Sequence, residues 1–379
     1  MRIMIVVTHL LGTGHLARAL TLGRAMAAAG HDPIIVSGGM PAPQLVTEGL
    51  DFRQLPPLRS DGVDFANLLD DRGNPASLAY RDQRTADLRA IFAETTPDIL
   101  ITELFPFGRR NLRDEFRLLL EDAIGHISRP LICASVRDIL APPSKPAKAA
   151  FAEEMLEHFY DAVLVHSDAA VTPLQASWPV TPAIEAKLHY TGFVAPPPAR
   201  ASETGDGRGE ILVSVGGGNV GAPVLSAAIE AARVMPVTRW RLLIGGGDAM
   251  ARAEKLSAKA PENAIIEPAR PDFREMLYRA RASVSLCGYN TALDVLQAGC
   301  PAVFVPFDAG DEVEQSLRAG RLAERPGITV LKTAALTAES LAETLVKVTG
   351  EDMTSNSVPE MNGAARTVEI LETLAAGRM

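Results

Sequence analysis

Short runs of β-branched and aliphatic residues alternate with longer Ala- and Leu-rich stretches along most of the chain. A parallel sheet covered by helices requires that alternation, because its strands are buried on both faces and read as unbroken apolar segments. Residues 3–7, Ile-Met-Ile-Val-Val, form the first such run. Behind it Leu16, Ala19, Leu20, Gly23, Met26 and Ala27 recur at helical spacing, and Gly30 closes a helix predicted over 15–28. Residues 34–36, 99–102, 131–134 and 162–165 are predicted as further strands.

The pattern breaks at 193–210, where Pro196, Pro197 and Pro198 precede a polar, glycine-containing run that suits a linker. Beyond it the alternation restarts. Strands are predicted at 211–215, 241–244, 283–286 and 302–305, and a helix at 364–376 after a polar loop at 353–359. Each half opens with a strand, a glycine loop and a helix, which argues for an α/β chain of two Rossmann-like domains. The expected boundaries are 1–195 for the first domain, 196–209 for the linker, 210–355 for the second domain and 356–379 for a C-terminal helix free to pack back on the first.

Gly12-Thr13-Gly14-His15-Leu16-Ala17 fits the dinucleotide pattern G-x-G-x-x-G/A in its alanine form, and Gly216-Gly217-Gly218-Asn219-Val220-Gly221 fits the glycine form. Glycines let a strand turn tightly into a helix whose free amides face a phosphate, so the pattern predicts an anion without naming it. A dehydrogenase would hold the NAD ribose with an acid at the end of its second strand. Here 34–36 runs into Ser37-Gly38-Gly39, and Asp32 lies ahead of the strand, which weakens that reading. The alternative for Gly12 and Gly14 is close packing alone.

The most informative stretch is 270–322. Arg270, Pro271, Asp272 and Phe273 lead into a predicted helix, and 282–286 is a strand. Gly288, Tyr289, Asn290 and Thr291 then open a helix that carries Asp294 and ends at Gly299 and Pro301; Glu312, Glu314, Gln315 and Arg318 follow the next strand. A helix opening at 288–291 presents amides and a hydroxyl to a phosphate, and Asp294, one turn further in, can accept two hydrogen bonds from a ribose diol. Glu314 and Gln315 fall at the same carboxyl edge, where open α/β sheets bind ligands.

With these residues in view, the sequence resembles the GT-B glycosyltransferases related to MurG, and more closely a branch of predicted glycosyltransferases. The resemblance is carried by Leu11-Gly12-Thr13-Gly14-His15-Leu16, Phe105-Pro106-Phe107-Gly108-Arg109-Arg110, Gly288-Tyr289-Asn290-Thr291 and Glu314-Gln315. It spans nearly the whole chain and is looser between 40 and 190. It implies a GT-B architecture, two Rossmann-like domains with parallel sheets facing across a cleft, the second holding a nucleoside diphosphate sugar and the first its acceptor. By resemblance, Asp294 matches the carboxylate on the ribose, and Gly288 to Thr291 match the diphosphate-binding helix start. Glu314 and Gln315 match the paired residues on the donor sugar, and Gly216, Gly217, Gly218 and Asn219 match the loop on the far side of the diphosphate. MurG itself has two glutamines where this chain has Glu314-Gln315, and a doubled glycine before its histidine, so the peptidoglycan role does not transfer.

His15, at the mouth of the first loop beside Gly14, is the candidate base for an acceptor hydroxyl, since imidazole is tuned to neutral pH. It can equally cap the helix or bind an acceptor phosphate. His9 is a weaker candidate that can pack beneath the loop. Glu103, after the strand at 99–102, is a second base, an acceptor ligand, or the salt-bridge partner of Arg109 or Arg110; Asp138 ranks below it. The rings and cations of 105–110 suit a lipid-phosphate acceptor at a membrane surface. Cys287 has no visible activating group and reads as a buried thiol. No Asp-x-Asp pair or spaced His cluster suggests a metal, so no metal or cofactor is expected, and amides with Arg270 or Arg318 would stabilise the leaving diphosphate.

Bulk properties narrow the partners. The formal charge of -9 and the lack of a dense Lys/Arg run disfavour nucleic acid, whose binding draws on clustered cations, so no nucleic-acid partner is expected. Three cysteines without CxxC spacing suit a reducing compartment. The apolar N-terminus runs straight into a glycine loop instead of a cleavage site, and no segment reaches the roughly 20 apolar residues of a membrane span, so the expected location is cytoplasmic, with peripheral contact at a membrane's inner face. The expected activity is transfer from a UDP-sugar to a hydroxyl of a small-molecule or lipid-linked acceptor. Its rivals are a nucleotide-sugar hydrolase, which uses water, and a non-catalytic nucleotide-sugar-binding protein; the His-Thr-Gly-Asp signature of a 2-epimerase is absent.

Overall fold

The computed structural model describes residues 1–10, 12–60, 67–200, 204–215, 219–308, 312–351 and 358–378. Two compact units result. Unit 1 comprises Met1–Ala169, Pro173–Val194 and Asn362–Met379, and unit 2 comprises Ala170–Thr172 and Ala195–Met361.

The sheet of unit 1 contains β1 (Arg2–Val7), β2 (Asp32–Gly39), β3 (Asp51–Leu58), β4 (Ile99–Glu103), β5 (Leu131–Arg137), β6 (Ala162–His166) and β7 (Leu188–Tyr190). They are parallel and lie in the order β3-β2-β1-β4-β5-β6-β7. Unit 2 repeats the plan with β8 (Ile211–Val215), β9 (Trp240–Ile244), β10 (Ala264–Pro268), β11 (Ala282–Ser285), β12 (Ala302–Phe304) and β13 (Ile328–Val330), ordered β10-β9-β8-β11-β12-β13. Both are doubly wound arrangements, with strands added outward on either side of the first. The central strands β1, β4, β5, β6, β8, β9 and β11 are the apolar runs visible in the sequence, and nearly all their residues are buried.

Four strands have no such signature. β3 and β10 lie at sheet edges, are only partly buried, and β3 carries Pro56 and Pro57, which an edge strand tolerates because one side needs no ladder bonds. β7 and β13 are three-residue edge strands. The polar half of the expected linker is not a free tether over its described residues. Asp206 pairs with Arg270 at 2.6 Å, Arg279 Nε donates to the Asp206 carbonyl, and Glu210 is buried against Arg241 at 2.7 Å. The C-terminal helix Gly363–Ala376 belongs to unit 1, where Val368 and Leu371 join Leu16, Leu20 and Met26 in one apolar layer. Gly363 permits that closeness: a Cβ there would overlap the backbone of Gly192 and Phe193. The boundary expected at 355 and the loop residues 353–357 lie outside the described residues.

Candidate active site

In a doubly wound sheet the crevice for a ligand opens beyond the carboxyl ends of the first and fourth strands, where the strand order reverses. That pair is β1 and β4 in unit 1, and β8 and β11 in unit 2.

In unit 1 the helix Gly14–Ala28 follows β1, and Glu103 is the last residue of β4. A Cβ at Gly12 or Gly14 would meet no heavy atom within 4 Å, so these glycines are not there for packing. Thr13 caps the helix without a side-chain bond, which leaves first-turn amides open. His15 Nδ1 lies 2.8 Å from Glu103 Oε1. Arg18, one turn on along the same helix, donates to that same oxygen, and Ser135 Oγ on β5 donates to Oε2 at 2.5 Å.

Glu103 is 2% exposed. Burial alone would raise its carboxyl pKa, but the Arg18 charge and the hydrogen bonds from His15 and Ser135 outweigh it and hold the group well below the usual carboxylate range. Ionised Glu103 can only accept, so the 2.8 Å contact places a hydrogen on His15 Nδ1 and leaves a lone pair on Nε2. Burial presses His15 down to about 3, against the pull of Glu103 and with the Arg18 and Arg109 charges adding to the fall. The imidazole is therefore neutral at pH 7, and with 14% of its side chain exposed it remains reachable.

Glu103 therefore pairs with Arg18, and not with Arg109 or Arg110. Arg109 Nε donates to the Thr8 carbonyl at 2.6 Å, and burial pushes the Arg109 pKa down to about 10. His9 Nε2 donates to the Met40 carbonyl at 2.9 Å and packs beneath Gly39, consistent with a structural place. Phe105 and Phe107 are 0% and 2% exposed, the first stacked on Phe116 and the second edge-on to Trp178. The 105–110 cluster thus offers a membrane no aromatic face. Asp138 is buried just past β5, and Cys287 is buried and forms no disulfide.

The NAD alternative meets a physical obstacle. At the end of β2, a Cβ on Gly38 would overlap the buried Arg84 guanidinium and Thr8, and one on Gly39 would overlap His9. Arg84 is held there by Glu115 at 2.7 Å and by the carbonyls of Gly38 and Pro56. No side chain has room where a dehydrogenase needs its ribose acid.

In unit 2, Gly217 and Gly218 lie outside the described residues, and Asn219 opens the short turn Asn219–Gly221 after β8. Gly288 caps the helix Tyr289–Ala298 beyond β11, with no side-chain cap bond and no acid in the first turn. A Cβ at Gly288 would meet nothing within 4 Å, so no neighbouring atom crowds the start of this helix. Arg318 stands over the Tyr289 ring at 5.8 Å and donates to the Cys287 carbonyl at 3.0 Å, which brings positive charge to that helix start. Asp294, a turn further on, accepts from Arg274 Nε at 2.8 Å; burial nonetheless raises its pKa against that charge. Arg274 also donates to Gln297 Oε1 at 2.6 Å and to the Pro197 carbonyl at 2.8 Å.

Glu314 and Gln315 open the helix Glu314–Leu322, where Glu312 Oε1 accepts from their amides at 2.9 and 3.3 Å, and Gln315 Oε1 accepts from the Phe307 amide. Phe273 opens the helix Phe273–Leu277, partly buried. Arg270 is committed elsewhere: Asp272, Asp206 and Glu267 surround it. Among the described residues no group of three His, Cys, Asp or Glu side chains is arranged to hold a metal ion.

The glycosyltransferase family 28 C-terminal domain matches residues 212–374. Across the whole chain the structure superposes on the glycotransferase of kitacinnamycin with a TM-score of 0.68 at 19% identity, covering 99% of both chains. It superposes on MurG of Acinetobacter baumannii at 0.60 and 16% identity, covering 100% of this chain and 99% of that one. The chain is thus similar to the MurG-like GT-B glycosyltransferases and shares their fold. Sequence relatives of the GT-B chain include the UDP-N-acetylglucosamine–N-acetylmuramyl-(pentapeptide) pyrophosphoryl-undecaprenol N-acetylglucosamine transferases of Phenylobacterium zucineum and Brucella suis. The first is 27% identical over 214 residues, 53% of this chain and 55% of the relative; the second is 31% identical over 188 residues, 46% and 48%. The chain spans about half the length of the curated relatives it matches.

Sequence reasoning missed Arg18, Ser135 and Arg274 as members of these sites. Arg18 had a signal, since it stands three residues after His15 on one helix face. Ser135 and Arg274 had none, because their partners lie 32 and 20 residues away.

Proposed function

We propose that this GT-B chain transfers a sugar from a nucleoside diphosphate donor, a UDP-sugar, to a hydroxyl of a small-molecule or lipid-linked acceptor. Unit 2 takes the donor and unit 1 the acceptor. The observation that carries the reading is the His15–Glu103 pair: a neutral imidazole, its Nδ1 hydrogen on an ionised buried carboxylate, its Nε2 lone pair available. The acceptor hydroxyl gives its proton to Nε2 as its oxygen bonds the anomeric carbon, and the bond from that carbon to the diphosphate breaks with its electron pair leaving on UDP. Glu103 then stabilises the imidazolium.

On the donor side, the first-turn amides of Tyr289–Ala298 and the nearby Arg318 charge offset the charge developing on the diphosphate without a metal. Asp294 takes the ribose, and Glu314 and Gln315 the sugar. Arg270 drops out of this set because three carboxylates already neutralise it. The UDP-N-acetylglucosamine donor and pyrophosphoryl-undecaprenol acceptor of the relatives support the preference for UDP and the lipid-linked option. The reading places the protein in the cytoplasm. A lipid-linked acceptor brings it to the membrane's inner face, with no apolar anchor from 105–110.

The test is UDP release from a panel of UDP-sugars incubated with soluble and lipid-linked hydroxyl acceptors. Acceptor-dependent release is expected, unchanged by EDTA and slowed about 10²–10⁴-fold by His15→Ala. Free sugar released equally fast without acceptor would make the protein a hydrolase, and binding with every donor left intact would make it a silent binder.

A further inference from the structure

His166 is a buried ionisable side chain that the transfer chemistry leaves unused. It ends β6 with no exposed surface, and Ser135, within β5, has none either. Ser135 is the register partner of Glu103 across β4 and β5, and His166 is paired with Arg137, two residues beyond Ser135 and so on its face of the sheet. The polar row continues to Thr191, just past β7. Ser135 Oγ lies 2.5 Å from Glu103 Oε2 and 3.0 Å from His166 Nε2, and His166 Nδ1 lies 3.0 Å from Thr191 Oγ1. Placing an imidazole and two hydroxyls in a central sheet costs desolvation that aliphatic side chains would avoid.

We propose that Ser135 and His166 are positioning residues, a buried relay that fixes the rotation of the Glu103 carboxylate and, through it, the tautomer of His15. This rests on reading His15 as the base.

Counting hydrogens leaves two arrangements, and the charge on Glu103 selects between them. Ser135 has a single hydroxyl hydrogen. The 2.5 Å separation from an ionised carboxylate is that of a charge-assisted bond, so the hydrogen points to Glu103. Toward His166 the Ser135 oxygen must then accept, and His166 carries its hydrogen on Nε2. Neutral His166, pressed down to about 3 by burial with the Arg18 charge adding to the fall, then has a bare Nδ1 that accepts from Thr191, at the cost of the hydrogen that Thr191 would give the Gly192 carbonyl at 2.7 Å. In the opposite arrangement Thr191 would donate to the Gly192 carbonyl at 2.7 Å, His166 would carry its hydrogen on Nδ1, and Ser135 would turn away from Glu103. The His166 tautomer therefore decides whether Glu103 keeps its third donor. With that donor Oε2 is pinned, and Oε1 stays on His15 and Arg18.

The test is 15N NMR of the full chain labelled at its seven histidines, with His15→Gln and His166→Gln variants for assignment. The expected spectrum has the hydrogen on Nδ1 of His15 and on Nε2 of His166. Ser135→Ala should give a mixed His15 tautomer and lower kcat about tenfold with the donor KM unchanged. It should also move the acid limb of the pH–rate profile to higher pH, since Glu103 loses a donor that favours its ionised form; Ser135→Thr should restore all three. A hydrogen on Nδ1 of His166 in the unmodified protein would overturn the inference. So would a Ser135→Ala protein with the parent's His15 spectrum and pH profile. If Ser135→Ala does not fold, the two tautomers of the unmodified chain still decide. They decide as well if no sugar is transferred, an outcome that overturns the proposed activity alone.

Discussion

His15, Arg18 and Glu103 form a buried triangle in which the cation stabilises the carboxylate and the carboxylate orients the imidazole. Such an arrangement favours one protonation state, and that preference is visible in stability. His15 and His166 are both pressed from 6.5 to about 3 by burial. Between those values the unfolded chain binds protons that the folded chain does not, so folding stability is complete above pH 6.5 and falls as pH drops toward 3. Glu103, also depressed, adds to the loss below its ordinary range. The melting temperature should decline steadily from pH 7 to pH 4, less steeply in His166→Gln; a flat profile in the parent would contradict the assignment. At this scale the sequence singled out Glu103, which directly follows an apolar run, and His15, which stands in the glycine loop behind another. It did not reveal that Arg18 would take the place expected for Arg109 or Arg110, since a pairing across 85 residues leaves no local pattern.

Two glycine loops with the same spacing do different work once folded. At Gly12 and Gly14 an added Cβ meets nothing, whereas at Gly221 it would overlap the Val215 side chain at the end of β8. The first loop keeps its helix start open, and the last glycine of the second lets the following helix, Ala222–Val234, close against the sheet. Gly221→Val should cost about 1–3 kcal/mol by overpacking, measured by denaturant unfolding; an unchanged midpoint would refute close packing there. The central strands were legible because burial on both faces demands unbroken apolar runs. The edge strands β3, β7, β10 and β13 were not, because an edge relaxes that demand, and β3 even admits Pro56 and Pro57.

Each unit winds its strands outward from a central pair, and each places its candidate residues beyond that pair: His15 and Glu103 in unit 1, the helix start at Gly288 and Asp294 in unit 2. The repeated strand, glycine loop and helix make this duplication readable in the sequence. What the sequence could not convey was the company of each charge, such as Arg270 enclosed by Asp206, Glu267 and Asp272, or Asp294 already paired with Arg274. The central claim is that unit 2 grips a nucleoside diphosphate at the helix Tyr289–Ala298. Thermal unfolding across a panel of nucleotides tests it most directly, because a ligand at a hundred times its Kd adds about 2.7 kcal/mol. UDP or a UDP-sugar should raise the melting temperature most, and Asp294→Ala should remove much of that rise. A largest shift from NAD, or a UDP shift that Asp294→Ala leaves intact, would contradict the account.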